Sequence, residues 1–175
     1  MKNYLKHYNH NHDALGRFTS SGSSSITYTS RNAKKANQVY NTMTNKEKYY
    51  LTGGDKRDWY VRQKEYTGKN KSAVYSLITQ NENVPVSFLD IFSNGDGTAE
   101  VAIGVSKNSR GKGYAQESMK RGMEWFDNNP EVQQLVWGVN ANNKASIELA
   151  KKYGFKRDRN YDYDKEWIAY SRKKR

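Results

Sequence analysis

Residues 98–128 constrain the fold more than any other part of the chain. They begin with the apolar run TAEVAIGV, continue through the glycine-containing turn SKNSRGKG, and end in a stretch whose apolar residues recur every three or four positions. An apolar run with small residues is typical of a strand covered on both faces, and the later spacing is that of one helix face. The segment therefore predicts a buried strand, a tight turn and a helix that ends before Asn129-Pro130.

Two short helices are predicted near the N-terminus. Apolar residues between 33 and 51 follow a helical spacing that is interrupted near Thr44. Thr44 and Glu47 form a capping-box pattern, in which each side chain accepts a hydrogen bond from a backbone N–H of the other residue. The second helix should therefore begin at Thr44 and end at Gly53-Gly54.

The remaining elements predict a mixed sheet. Three segments with β-branched and aromatic residues suggest an antiparallel meander: residues 59–66, 73–79 and 84–92. After the central helix we expect a strand at 135–139, a helix at 143–153 that ends at Gly154, and a last strand at 167–171. The predicted fold class is α/β, with a mixed, mostly antiparallel sheet flanked by helices.

The first 32 residues are expected to form a flexible basic tail outside a single domain at 33–175. They lack an apolar period, and TSSGSSSITYT has the composition of a linker. Deleting residues 1–32 should accordingly leave the stability unchanged. His7, His10 and His12 lie there without a nearby Cys, which favours solvated side chains over a metal site.

Composition narrows the classes of function. The chain has no Cys and no apolar run near the ~20 residues that span a bilayer, so disulfides, a Cys nucleophile, a signal peptide and a membrane span are not expected. The net charge of +12 lies mostly at the ends, because the 128 residues between 37 and 164 carry only +3. A nearly neutral folded part disfavours specific nucleic-acid binding. We expect a cytoplasmic protein.

The turn RGKGYA predicts an anion site. Its two glycines allow backbone N–H groups to converge, and the start of the following helix adds a partial positive charge, so a phosphate or pyrophosphate fits. The turn lacks the pattern of a Walker loop and the third glycine of a dinucleotide fingerprint. From the residues alone, a turn that serves only to bend the chain is an equal alternative.

Two blocks of sequence resemble the GNAT superfamily of acyl-CoA-dependent N-acetyltransferases. The family pattern [QR]-x-x-G-x-[GA] is matched by Arg110, Gly113 and Ala115, five residues after the strand-end Val105. The second block, N-x-x-[AS] followed by G-F, is matched by NKAS at 143–146 and by Gly154-Phe155. The resemblance covers residues 57–172 and implies a sheet that splays apart between the strands at 98–105 and 132–139.

The resemblance implies acetyl-CoA as co-substrate and no metal. It places the pantetheine arm along the backbone of Ile103, Gly104 and Val105, and the amide region of pantetheine at Asn143. Ser146 is a further cofactor contact, and it matches the branch that contains ribosomal-protein N-terminal acetyltransferases. The pyrophosphate cradle comprises six residues, with added charge from Arg110: Gly111, Lys112, Gly113, Tyr114, Ala115 and Gln116.

The resemblance also implies direct transfer to an amine, with a base that accepts the amine proton. Glu100 is the candidate base, with Asp90 or an ordered water as alternatives. Many members carry a Tyr acid seven residues after the motif Asn, where this chain has Ala150. Ser146 and Tyr153 are the candidate acids that remain, and each has a packing or binding role as its alternative.

The predicted function is therefore N-acetylation of a primary amine, on a protein or a small molecule, by direct attack in a ternary complex. Acceptor loops are expected at 53–72 and 156–166. The segment NHDALGRFTSSG resembles bacteriophage virion and morphogenesis proteins. The alternative function is thus a non-catalytic GNAT-fold module, tethered by its tail to a virion or assembly partner.

Overall fold

The structure is a computed structural model, which describes residues 26–30, 32–53 and 73–174. These residues form a mixed α/β fold, as predicted. The helices are α1 (Ala33–Asn41), α2 (Asn45–Thr52), α3 (Tyr114–Asn128) and α4 (Lys144–Lys152). The strands are β1 (Ile26–Ser30), β2 (Ala73–Asn81), β3 (Val84–Ser93), β4 (Thr98–Val105), β5 (Gln134–Asn140), β6 (Lys156–Arg157) and β7 (Trp167–Lys173).

All seven strands belong to one sheet in the order β1-β2-β3-β4-β5-β7-β6. Every neighbouring pair is antiparallel except β4 and β5, which run parallel. Their ladder is short, because only Thr98–Glu100 pair with Gln134–Val136. Beyond Glu100 the two strands have no register with each other, so the sheet is splayed at this point, as predicted.

Helices cover both faces of the sheet, and alternate strand residues pack into two separate hydrophobic cores. Leu89, on one face, packs in the large core that includes Phe126 of α3 and Ala150 of α4. Phe88, on the opposite face, packs with Val39 of α1. The helix α3 approaches β3 closely because Gly122 has no Cβ, which would lie 2.5 Å from Leu89 Cδ2.

Helix termini follow the local sequence signals. Thr44 caps α2, and the reciprocal hydrogen bonds with Glu47 confirm the predicted capping box. Gly53 ends this helix in the left-handed region at φ 63°, and Gly154 follows α4 at φ 80°. The predicted strand at 59–66 lies outside the described residues.

The predicted boundary between tail and domain is wrong. Ile26–Ser30, placed in the tail, form β1 and pair with β2 along their whole length. The Tyr28 hydroxyl also donates a 2.7 Å hydrogen bond to Glu117 of α3. The Arg121 guanidinium, in the same helix, lies 3.6 Å from the centroid of the Tyr28 ring. The sequence ITYTS has the β-branched alternation of a strand, but the preceding Ser/Gly-rich run obscured it.

Candidate active site

The divergence of β4 and β5 opens a groove of about 740 Å³ through the sheet. One wall is the edge of β4 from Val101 to Val105, and the other is Trp137–Val139 of β5. The residues of α2 line the groove on one face of the sheet, and the first turns of α3 and α4 line it on the other. Among the described residues, no strand pairs with this edge of β4 beyond Glu100. The backbone groups on this edge are therefore available to a ligand, apart from the Val105 carbonyl, which lies 3.4 Å from the Arg110 guanidinium.

The N-terminus of α3 lies at one end of this groove. Gly111 (φ 72°) and Gly113 (φ 84°) adopt left-handed conformations that glycine reaches without strain. The first intrahelical bond runs from the Glu117 N–H to the Gly113 carbonyl, and no side chain of the described residues caps the helix. The N–H groups of Tyr114–Gln116 therefore have no acceptor within the helix, which is the arrangement that binds anions.

Arg110 is held by α2. Its guanidinium pairs with the Glu47 carboxylate and lies 3.4 Å from the Val105 carbonyl. Burial by itself raises the pKa of Glu47, but hydrogen bonds from Thr44 and the Arg110 charge outweigh it and lower this pKa below its ordinary value. Both side chains line the groove, so this pair joins α2 to the loop before α3.

Two other lysines line the groove, and the predicted Lys112 does not. Lys46 of α2 and Lys152 of α4 contribute to the groove walls, and Lys152 Nζ donates to Gln116 Oε1 at 2.6 Å. Lys112 instead lines a smaller cavity of about 180 Å³ together with Ile26 and Glu117. The groove therefore has positive charge close to the start of α3.

Asn143 and Ser146 both line the groove and are joined by a hydrogen bond. The Asn143 side-chain oxygen accepts a 3.3 Å hydrogen bond from the Ser146 N–H, so Asn143 caps α4. Both residues line the groove opposite the β4 edge. Asn143 can cap α4 and contact a ligand at the same time. Its Oδ1 makes the cap, and its Nδ2 has no hydrogen-bond partner among the described residues.

Tyr153 is not part of the groove lining. Its hydroxyl donates to the Gln116 carbonyl in the first turn of α3, and its ring packs against the large core. Burial, and secondly the negative charge of Glu117, raise the pKa of Tyr153. The side chain connects the end of α4 with the start of α3, while Ala150 in the helix interior is fully buried.

The two candidate bases differ in their surroundings. Glu100 is exposed and occupies the last β4 position paired with β5, opposite Val136, where the gap begins. It does not line the groove, which starts at the next residue, Val101. Because Ala99 and Val101 face the large core, the Glu100 side chain lies on the α2 face. Asp90 of β3 is 2% exposed and accepts a hydrogen bond from Ser76 Oγ, away from the groove lining.

The contribution of α2 and β7 to the groove was not predicted from the sequence. Lys46, Glu47, Tyr50 and Leu51 line it from α2, and Trp167 lines it from the start of β7. The sequence identified both elements, but no local signal showed that α2 contacts both β4 and β5 across the gap.

The described part of the chain has no candidate metal site, because its Asp and Glu residues form no group of three that would hold a metal ion. Its helices are all too short or too polar to cross a membrane.

The splayed sheet and the groove define an acyltransferase-type α/β fold, and the sequence matches a known family. Residues 28–156 match the family described as Acetyltransferase (GNAT) domain. The chain therefore belongs to the GNAT acetyltransferase family. The match begins inside β1, which agrees with the corrected domain boundary. No protein with a curated description matches the chain in sequence.

Solved structures of GNAT proteins share the fold at low sequence identity. Ribosomal-protein-S5-alanine acetyltransferase from Vibrio fischeri is 14% identical, with a TM-score of 0.63 over 90% of this chain and 96% of that chain. Spermidine N-acetyltransferase from Vibrio cholerae, in complex with CoA and spermine, is 12% identical, with a TM-score of 0.65 over 85% and 95%. The protein yncA from Salmonella typhimurium, solved with its cofactor acetyl-CoA, is 18% identical, with a TM-score of 0.60 over 85% and 93%.

Proposed function

We propose that the protein transfers an acetyl group from acetyl-CoA to a primary amine by direct attack in a ternary complex. The observation that carries this proposal is the groove between β4 and β5, which ends at the uncapped N-terminus of α3. Such a groove combines an open strand edge, which suits an extended amide-containing arm, with a cradle for a pyrophosphate.

The residues present fit acetyl-CoA. The edge of β4 at Ile103–Val105 would offer backbone groups to the pantetheine amides, and Asn143, which also lines the groove, would offer its Nδ2. The N–H groups of Gly113–Gln116 would bind the pyrophosphate, with Lys152 close by through its hydrogen bond to Gln116. When bound, acetyl-CoA supplies an activated thioester carbonyl.

Glu100 is the proposed base. What supports this proposal is its position next to the groove: it is the last β4 residue paired with β5, and its side chain lies on the α2 face, although it does not line the groove itself. A base there would accept a proton from an amine that enters on this face. Ser146 lines the groove and is proposed to contact the cofactor or to protonate the departing thiolate. Tyr153 is proposed as a positioning residue, because its hydroxyl is bonded to the Gln116 carbonyl.

Thermal denaturation with ligands tests cofactor binding. Acetyl-CoA and CoA should each stabilise the protein by about 2.7 kcal/mol at 100 times Kd, which corresponds to a rise of roughly 5 to 10 °C for a chain of this size. Pantetheine, which lacks the pyrophosphate, should have a much smaller effect. Absence of any shift with millimolar acetyl-CoA would reject the enzyme in favour of a non-catalytic module.

A further inference from the structure

We propose that the acceptor amine binds in a chamber on the α2 face of the groove, and that Gly138 sets the width of this chamber. The acceptor chamber is defined by Tyr50 and Leu51 of α2, Ala102 of β4, Gly138 of β5 and Trp167 of β7, all of which line the groove. This inference rests on the proposed acetyl transfer and names the class of acceptor, a cationic primary amine on an unbranched alkyl stem.

Strand alternation separates the acceptor chamber from the cofactor side. Trp137 and Val139 of β5 belong to the large core beneath α3 and α4, so Gly138 between them faces α2. On β7, Trp167 lies opposite Asn140, which faces the same way as Gly138. Because α2 contacts both β4 and β5, it forms the roof over these positions.

The backbone does not explain the glycine at 138. Three described glycines lie outside the left-handed region, and at Gly104 and Gly122 a Cβ would come within 2.6 Å of neighbouring side-chain atoms. At Gly138 a Cβ would meet no atom of the described residues within 4 Å, and the residue is exposed. Since a glycine weakens a strand interior and here relieves no clash or turn, its role is to leave the chamber open.

The chamber walls suit an ammonium on an apolar stem. The ring of Trp167 meets the ring of Tyr49 edge-on at 5.8 Å. The ring of Tyr50 already has the ammonium of Lys46 at 5.6 Å from its centroid, so Trp167 is the aromatic wall that an incoming cation would contact. Leu51 adds an apolar surface for alkyl carbons.

Two carboxylates lie on the α2 side of the sheet outside the groove lining. Glu100 occupies the start of the gap, and Glu166 precedes Trp167 and accepts a 3.0 Å hydrogen bond from Asn140 Nδ2. Both would attract a cationic acceptor towards this side of the sheet. They would repel a carboxylate on the acceptor, so an anionic amine should be a poor substrate.

The experiment measures thiol release from acetyl-CoA with 1-aminobutane, 1,4-diaminobutane, 4-aminobutyrate and an N-terminally blocked lysine peptide. Wild type should use the first two and the peptide, and should be at least about tenfold slower in kcat/KM with 4-aminobutyrate. Gly138→Val and Gly138→Phe should lower kcat/KM for the preferred amines progressively, by roughly tenfold and a hundredfold. Their Kd for CoA, measured by calorimetry, should stay within about twofold of wild type.

A matched control is Ser30→Val, which adds a β-branched side chain at an exposed position of β1, on the far side of the sheet. It should retain wild-type rates with every amine.

If wild type binds no CoA and acetylates none of the amines, the proposed function itself fails. If wild type is active and both Gly138 variants keep their rates, the acceptor chamber is refuted and the proposed function stands. Should Gly138→Phe fail to fold, Gly138→Val decides alone, because a β-branched residue is favourable in a strand.

Discussion

At the scale of single residues, Glu100 carries the strongest mechanistic prediction. Replacing it by Gln keeps the shape of the side chain and the backbone pairing of β4 while removing the ability to accept a proton. We expect Glu100→Gln to lower kcat by on the order of 100-fold, because a general base contributes 10²- to 10⁴-fold, and to leave the Kd for CoA unchanged. Steady-state kinetics across pH should show a wild-type rate that rises through one ionisation absent from the variant.

The control for this variant is Glu131→Gln, an exposed carboxylate in the turn before β5. It should match wild type in kcat and in pH profile. If Glu100→Gln instead has full activity and an unchanged profile, Glu100 only faces solvent, and an ordered water becomes the leading candidate because Asp90 is buried against Ser76.

Glu47 gives a second residue-scale prediction, which concerns stability and pH. Its folded pKa is lowered, so its contribution to stability is present above the ordinary Glu pKa of about 4.3 and is lost as pH falls through the folded value. Glu47→Gln should therefore destabilise the protein at pH 7, by less than about 1 kcal/mol because the pair with Arg110 is partly exposed. Urea denaturation at pH 7 and pH 3.5 should show the difference from wild type shrinking at the lower pH.

The same variant should bind CoA more tightly. Glu47 lines the groove and neutralises Arg110 beside the pyrophosphate cradle, so its removal frees a cation and deletes a repulsive charge. A gain of roughly two- to fivefold in affinity is expected at low salt, decreasing as salt screens the charges. Weaker binding by Glu47→Gln would show that the carboxylate is needed to orient Arg110.

At the scale of elements, the N-terminus of α3 is tested by a pair of isosteric substitutions at Gly113. Both Asn and Asp are tolerated better than other residues at positive φ, so the strain at φ 84° is common to the two variants. A Cβ there meets nothing within 4 Å, so neither variant should disrupt packing. Gly113→Asp places a negative charge at the anion cradle, and calorimetry should show CoA binding at least about tenfold weaker than that of Gly113→Asn. Equal affinities would mean that the glycine serves only the bend.

The elements also show what the sequence could predict. Capping at Thr44, the helical period of α3 and the alternation in β5 depend on residues within a few positions of each other, and all were confirmed. The contact of α2 with the gap was missed, because it depends on packing between elements that are far apart in the sequence. The Arg110–Glu47 pair, separated by 63 positions, shows the same limit.

In the candidate site, too, local features were predicted and contacts between distant elements were not. The turn around Gly113 was predicted as an anion site, and its left-handed glycines and uncapped helix agree with that chemistry. The roles of Glu100 and Ser146 came from the family resemblance, and they stay predictions, since the position of a side chain in a groove does not by itself define its role. Trp167 carried no local signal of its place in the groove, because its neighbour there, Tyr49, lies in another element.

At the scale of the whole molecule, the corrected position of β1 changes the expected effect of truncation. Deleting residues 1–32 removes a strand whose five residues pair with β2, together with the Tyr28 contacts to Glu117 and Arg121. Loss of this half-buried strand should lower the free energy of unfolding by at least about 2 kcal/mol, the scale of burying one large apolar side chain.

Deleting residues 1–25 keeps β1 intact. For this shorter truncation we expect unchanged stability, because the deleted residues include a Ser/Gly-rich segment of linker-like composition. Urea denaturation of both truncations separates the two contributions. Equal stabilities of the two proteins would show that β1 adds nothing to the sheet, whereas a large loss in the shorter truncation would show that residues 1–25 pack on the domain.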